Sequence, residues 1–438
     1  MSLLVQSATM FISQTYRRID PYYFGCKKRG QNREIIHPNG NDEDPDGVHL
    51  IVHYNDIFED IQGRLFRVID FLGCGSYSLV YKCEYVNTPG RFIAVKISKN
   101  VPRLQQRLEN EAKLLQKLNS FPDIPGRKLI PEYVSFFPIS GHSCLAIGLY
   151  QRTLLERFSF INDTAGLLLF IKCVMKQILL GLDFIHQAGF VHGDLKPDNI
   201  MLVRDDAYDI KFIDFGSATP IDSDMPRIPQ PLCYRSPELI IGSKWNEKVD
   251  IWSAGCIAVE LILGFPIFAC ETEEDVLGMI TKLIGPIPQS MIVGSLYWKQ
   301  FYVTTPRGFM LLKDLIICIT KGHLMPERFD GIDESKLTLE MLIRNRIQND
   351  VNKQIVDSMI SFIYGLLNID STKRWNIKEA LSHCFLTEEF NEQTVNWTSK
   401  NRSAYLACSS HGMIPNMLTI ESEDNNFVIP HSINSIFY

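Results

Sequence analysis

The run His192-Gly193-Asp194-Leu195-Lys196-Pro197-Asp198-Asn199, followed after a short spacer by Ile213-Asp214-Phe215-Gly216, constrains this chain more than any other feature. It brings carboxylates, an amide and a lysine to the mouth of one cleft. These are the groups needed to hold a metal-bound phosphate beside a hydroxyl nucleophile. Moving a phosphoryl group asks for little covalent help. It asks for in-line positioning and for neutralisation of a highly charged phosphate chain. Asp194 suits the orientation of an attacking hydroxyl and the acceptance of its proton, and Lys196 can reach the transferring phosphate as a point charge. Asn199 and Asp214 offer hard oxygen ligands of the kind Mg2+ accepts while keeping several waters. Either fragment alone is more often a turn with a satisfied carboxylate. In order, and with matching elements on both sides, coincidence does not explain them.

Upstream, Leu72-Gly73-Cys74-Gly75-Ser76-Tyr77-Ser78-Leu79-Val80 lies between the strand-like runs Leu65–Phe71 and Val80–Tyr85. Its glycines would let backbone N–H groups approach phosphates, with Tyr77 at the tip to fold over them; alone, the segment reads as an ordinary hairpin turn. Phe92-Ile93-Ala94-Val95-Lys96-Ile97 alternates and is rich in β-branched residues, which puts Lys96 on a strand as the cation for the α- and β-phosphates. Leu104, Leu108, Leu114, Leu115 and Leu118 then recur at helical spacing. That helix offers Glu109 and Glu111 as partners for Lys96, a solvated helix-face charge being the alternative for either. The apolar stretch Ile251–Leu263 is too short to span a bilayer and contains Glu260, so it reads as a buried core helix.

These motifs, with Tyr234-Arg235-Ser236-Pro237-Glu238 and Val249-Asp250-Ile251-Trp252 downstream, resemble those of protein kinases. Within them the chain is similar to the CMGC group, and there to the dual-specificity tyrosine-regulated (DYRK) family, Yak-like branch. Three features carry the narrower likeness. The acidic stretch Asn39–Asp46 precedes Leu50–Asp56, the loop before Asp194 lacks arginine, and Arg374-Trp375-Asn376-Ile377 is followed by Ala380-Leu381-Ser382-His383. The SR-protein kinases also lack that arginine but not with this acidic lead-in. The resemblance covers roughly residues 39–390.

The resemblance implies an α+β, bilobal kinase fold. Residues 60–148 would form a small antiparallel β-sheet lobe with one main helix, after an N-terminal extension, 1–59. Residues 149–390 would form a larger, mainly helical lobe with an insert at about 286–350, and 391–438 a tail. It also implies that Glu111 pairs with Lys96, that Asp250 braces the catalytic loop through its backbone, and that Glu238 pairs with Arg374. ATP would bind between the lobes along Leu72–Ser78, Val80, Ala94 and Lys96, with its adenine on the hinge at Gly148, Leu149 and Tyr150. Ile147 falls on the gatekeeper position, where the family often has a larger aromatic residue. The family's substrates are Ser/Thr sites in proteins, often followed by proline.

The chain also departs from that pattern. Counting back from Tyr234, the family's autophosphorylated tyrosine falls on Ile228, and 220–233 contains no tyrosine. An arginine expected two residues before Tyr234 is Leu232, and at Gly193 the loop, like the family's own, offers no arginine to grip a phosphate. A phosphate orders a loop by giving arginines something to hold. The expectation is therefore a segment held by the packing of Pro226, Ile228, Pro229, Pro231 and Leu232, active without tyrosine phosphate, with Ser223 as the rival regulatory site. A binding-only pseudokinase is the other reading. The presence of Lys96, Glu111, Asp194, Lys196, Asn199 and Asp214 together argues for catalysis.

With 438 residues, 45% of them hydrophobic and 21% charged, there is material for two lobes. A net charge of −6 gives no footing for nucleic acid, and no segment reads as a membrane anchor. The 11 scattered cysteines lack a Cys-x-x-Cys pair and suggest reduced thiols in a cytoplasmic or nuclear monomer. Cys74 would then be a core-like thiol or a redox target. Sequons at Asn162, Asn396 and Asn401 would be silent there. Lys27-Lys28-Arg29 reads as a solvated turn, and Leu311–Ile319 as a run that packs on its own lobe or meets a partner.

Overall fold

Alternation of apolar residues in six segments produces six paired strands. The computed structural model describes residues 48–388 apart from Ser76, Asp123, 159–163, 205–207, Arg307, 313–336 and 348–351. The acidic lead-in, Lys27-Lys28-Arg29, the sequons, most of Leu311–Ile319 and the tail after Glu388 lie outside these residues. Strands β1 (Ile57–Glu59), β2 (Leu65–Cys74), β3 (Ser78–Tyr85), β4 (Phe92–Ser98), β5 (Tyr133–Ile139) and β6 (His142–Gly148) form one antiparallel sheet in the order β1-β2-β3-β4-β6-β5. The β5–β6 turn uses Ser140 at φ 46° and Gly141 at φ 83°, the two left-handed residues of a tight hairpin that matches the twist of its strands.

One face of this sheet carries the core. Phe66, Val68, Leu79, Tyr81, Cys83, Ile93, Val95, Ile97, Cys144 and Ala146 cluster there with Phe137. The helix α1 (Pro102–Asn119) lies between β4 and β5 in sequence and opens with proline at its start, where a missing N–H costs nothing. Leu108, Glu111, Leu115 and Leu118 are buried along it. Glu109 pairs instead with Lys113 at 2.9 Å on the exposed face.

The described residues sort into two compact units. The first runs to Gln151 and includes Lys211–Gly216; the second holds Arg152–Ile210 and the residues from Ser217 onward. In the second, the long helices are α2 (Thr164–Gln187), α3 (Lys248–Leu263), α4 (Glu273–Leu283) and α5 (Lys353–Leu366). By length and composition α2 could cross a membrane, but nearly all of its apolar stretch is buried inside the fold, as in a core helix. In α3 every residue after Lys248 is buried, and Trp252 stacks on Phe268 with ring centroids 5.9 Å apart. Short strands frame the loop at 192–199: β7 (Arg152–Thr153), β8 (Phe190–Val191), β9 (Ile200–Leu202), β10 (Ile210–Phe212) and β11 (Thr219–Pro220). Of these, β8 pairs with β11 and β7 with β9.

The α+β, bilobal expectation is met by this arrangement. One expectation is corrected. Cys83, Cys144, Cys173, Cys233, Cys256, Cys270 and Cys384 are free thiols, but Cys74 is disulfide-bonded and so is not the free core-like thiol expected at that position.

Candidate functional site

Strand register places the expected nucleotide residues of the first unit together. Directly paired residues share a face of a sheet. Val80 pairs with Lys96 and Lys82 with Ala94; across the next strand Lys96 pairs with Leu145 and Ala94 with Ile147. All of them therefore lie on the face opposite the Phe66–Tyr81–Val95 core. At the edge of this face, Gly148 donates its N–H to Glu132 O at 2.9 Å, and Tyr150 Oη accepts from Glu132 N at 3.0 Å. The turn between β2 and β3 is fastened by Gly75 N–H to Ser78 O at 2.8 Å, and Ser78 is buried in extended backbone, which serine adopts as readily as glycine. A Cβ on Gly73 would meet nothing within 4 Å. That open space is what close approach of a phosphate chain requires. Leu72 and Tyr77 are exposed, and Ser76 lies outside the described residues.

On the same unit Lys96 Nζ sits 2.8 Å from Glu111 Oε2 and 2.9 Å from Asp214 Oδ1. Burial disfavours its charge, but the carboxylates of Asp214 and Glu111 outweigh that and hold the ammonium above the ordinary lysine range. Burial pushes the Glu111 carboxyl up, with the Lys96 ammonium opposing. Asp214 has φ 59°, a left-handed conformation unusual outside glycine. Such strain costs on the order of 1–3 kcal/mol and is characteristic of functional positions. Its carboxylate stays partly exposed while Oδ1 engages Lys96, and carboxylate oxygens are ligands that a hard cation takes.

In the second unit the loop at 192–199 is suspended from one buried carboxylate. Asp250 Oδ2 accepts from His192 N at 2.7 Å and lies 2.9 Å from His186 Nε2; Oδ1 accepts from Gly193 N at 3.1 Å. Burial opposes ionisation of Asp250, but the hydrogen bonds from His186 and His192 hold its carboxyl below the usual range. From that base, Lys196 Nζ donates to Asp194 Oδ2 at 3.2 Å, and Asn199 Nδ2 donates to Asp194 O at 2.8 Å and Oδ2 at 2.9 Å. With its amide nitrogen engaged by Asp194, Asn199 presents oxygen as its metal-binding atom. Among the described residues no three His, Cys, Asp or Glu side chains cluster as a metal cage. Asp214 in the first unit and Asn199 in the second each offer an oxygen of the kind a hard cation takes.

Comparison with known proteins gives this geometry a family. Residues 66–386 match the protein kinase domain. The chain belongs to the protein kinase family. It is 31% identical over 423 residues to the dual specificity protein kinase YAK1 homolog of Arabidopsis thaliana, covering 88% of this chain and 43% of that protein. It is equally 31% identical to the dual specificity protein kinase CLK4 of Homo sapiens, covering 78% of this chain and 70% of that one. A crystal structure of a kinase domain superposes with a TM-score of 0.61 at 25% identity, over 73% of this chain and 95% of that domain. The Yak-like resemblance is thus matched by an equal likeness to the CLK kinases. The chain spans less than half of the Arabidopsis relative, and proteins of this family use ATP and a divalent metal on protein substrates.

The kinase's segment 217–236 departs in detail from the packing expected for it. Ile228 is buried against Val191, Leu239 and Val249, with Ile221 and Trp245 beside them. Pro226 and Pro229 are exposed, and Pro231 and Leu232 only half-buried, because polar groups do the rest of the fastening. Gln230 Nε2 donates to Val249 O and Ser253 Oγ, both at 3.1 Å, while its Oε1 accepts from Ser236 N at 3.0 Å. Arg227 and Arg235 converge on Glu273 at the start of α4, at 3.2 and 2.6 Å. Gly193 has φ 73°, and a Cβ there would lie 2.7 Å from Ser217 O and 3.8 Å from Ile228 Cδ1. An arginine side chain has no room at that point. The Glu238–Arg374 pair is fully buried, at 2.6 and 2.9 Å.

Proposed function

We propose that this kinase transfers the γ-phosphoryl group of Mg2+-ATP to Ser/Thr hydroxyls of protein substrates, preferring proline after the acceptor, and works without tyrosine phosphate on its own activation segment. The observation that carries the catalytic part is the completeness of both constellations, Lys96–Glu111–Asp214 in one unit and Asp194–Lys196–Asn199 in the other. A substrate hydroxyl beside Asp194 attacks the γ-phosphorus as its proton passes to that carboxylate. The bond from the γ-phosphorus to the bridging oxygen breaks, and ADP leaves. Lys196 offsets charge on the transferring group, Lys96 holds the α- and β-phosphates, and Glu111 fixes Lys96. Asn199 and Asp214 would hold the cation, which when bound neutralises phosphate charge.

Two further observations support the finer claims. Arg235 Nε and Nη2 both donate to Gln230 O, at 2.9 and 2.5 Å. That carbonyl has no need of a substrate N–H, so a proline following the acceptor forfeits no hydrogen bond there. Ile228, in the position of the family's phosphotyrosine, is buried among apolar side chains. The arginines nearest it, Arg227 and Arg235, are already paired with Glu273.

The test is phosphorylation of a Ser/Thr/Tyr peptide library scanned at the position after the acceptor, with Asp194→Asn as control and mass-spectrometric mapping of the enzyme itself. Selective labelling of Ser/Thr-Pro peptides by a phosphotyrosine-free enzyme is expected. Indifference to the following residue would sink the proline claim, and an activating phosphate on Ser223 would sink the constitutive segment.

A further inference from the structure

Arg107 lies one helical turn before Glu111 on α1, so the two side chains share a helix face. Its guanidinium carbon lies 4.2 Å from the centre of the Tyr77 ring, at the tip of the glycine-rich loop. The same side chain also reaches the other end of the phosphate-binding apparatus. A Cβ added at Gly216 would lie 3.2 Å from Arg107 Nε, 3.2 Å from Asp214 Oδ1 and 3.3 Å from Glu111 Oε2. Arg107 Nε and the two carboxylates therefore border one small space at Gly216, the guanidinium carbon packs over the Tyr77 ring, and its charge favours the ionised form of Glu111. Tyr77 is otherwise an exposed aromatic ring on a turn whose Gly73 borders open space.

We infer that Arg107 is a positioning residue that latches the tip of the glycine-rich loop, through the Tyr77 ring, onto the helix that carries Glu111. Closure of the loop over the nucleotide is thereby tied to the placement of the Lys96–Glu111 pair. A planar guanidinium suits this task because it can lie flat on a ring and still direct N–H groups sideways toward carboxylates. A lysine at the same position would offer a point charge without the flat face. Gly216 keeps the space clear, since any side chain there would press on the guanidinium and both carboxylates.

The latch rests on the phosphoryl-transfer reading only in what the loop covers, so its test reads nucleotide binding directly. Displacement of a fluorescent ADP by ATP would be measured on the full chain for Arg107→Met, Tyr77→Leu and the double variant, and for Arg107→Met in a Tyr77→Phe background. Each single change is expected to weaken binding by roughly 2- to 5-fold, the range of an accessible cation–π contact, and the double variant to bind no more weakly than the weaker-binding single variant. Tyr77→Phe keeps the ring, so Arg107→Met should cost the same in that background as in the wild type. In steady-state assays the loss should fall on KM for ATP rather than on kcat. Additive losses, or unchanged affinity in Tyr77→Leu, would overturn the latch; the exposed position of Tyr77 guards against a merely misfolded variant. A fall in kcat at unchanged ATP affinity would assign Arg107 to Glu111 alone and overturn it too. Absence of turnover in the wild type would count against the catalytic reading, while the coupling between Arg107 and Tyr77 would still be judged by binding.

Discussion

Truncating Ile228 to alanine should open the activation segment before it unfolds the kinase. The side chain is 3% exposed and packs on Val191, Leu239 and Val249. Removing a buried isoleucine down to alanine costs about 2–5 kcal/mol, a factor of roughly 30 to several thousand in an equilibrium constant. Those neighbours belong to the core of the second unit, whereas Ile228 belongs to a segment also fastened by Gln230, Arg227 and Arg235. The segment can therefore release locally, and local opening is the less costly response. Initial rates on a Ser-Pro peptide should fall steeply in Ile228→Ala. Amide hydrogen exchange across 219–236 should accelerate, including the N–H of Gln230 that donates to Ile228 O at 2.9 Å. The urea midpoint of the whole domain should move little. Unchanged rate and exchange would refute the view that packing holds the segment. So would a midpoint that drops by the full cavity cost, since Ile228 would then belong to the global core.

Other outcomes follow from the same geometry. Lys96→Met and Glu111→Gln should each lower kcat by at least about 100-fold, because each removes the phosphate-holding cation or the carboxylate that fixes it; activity within a few-fold of wild type would remove the pair from catalysis. Arg374→Ala leaves the fully buried Glu238 carboxylate without its partner, and a cost of about 3–5 kcal/mol should lower Tm by roughly 4–8 °C in a domain of this size, measurable by scanning calorimetry. Lys211 gives a pH signature. Burial, reinforced by Arg127, brings its ammonium from 10.5 down to about 8. Below about 8 the folded kinase carries that cation at a cost, and from there to 10.5 it sheds its proton before the unfolded chain does, so stability should rise across this window relative to Lys211→Met. A parallel pH dependence in the two proteins would exclude Lys211 as the source.

Much of the site was legible because its chemistry demands particular residue types at particular spacings. Asp194, Asn199 and Asp214 were readable as a set, and Lys96 could be put on a strand from the alternation of its neighbours. Periodicity left Glu109 and Glu111 open. The helix settles this physically, by turning Glu111 inward to Lys96 and Glu109 outward to Lys113. What stayed hidden was carried by contacts between residues with no motif in common. Arg107 and Tyr77 meet across 30 residues of chain, and Arg235 and Glu273 across 38. The only available signal was an unassigned arginine one turn before Glu111. The prolines of 226–231 misled for a related reason. Proline lowers the entropy of a segment whether or not it is buried, so composition alone could not tell fastening by apolar contact from fastening by Gln230 and the Glu273 pairs.

The missing arginine at Gly193, which the chain shares with the family it resembles, and the buried Ile228 meet at one corner of the fold. An arginine beside the catalytic aspartate is an asset when a phosphate neutralises it, and an uncompensated cation when none is present. Here the chain has neither that arginine nor a tyrosine at position 228. The left-handed backbone of Gly193 brings Ser217 O within 2.7 Å of where a Cβ would stand, and Ile228 Cδ1 closes the remaining side at 3.8 Å. The two arginines that do remain are drawn to Glu273, a carboxylate that cannot be removed by a phosphatase. These contacts are what fasten the segment in the structure, and their sufficiency for activity is what the Ile228→Ala experiment reads.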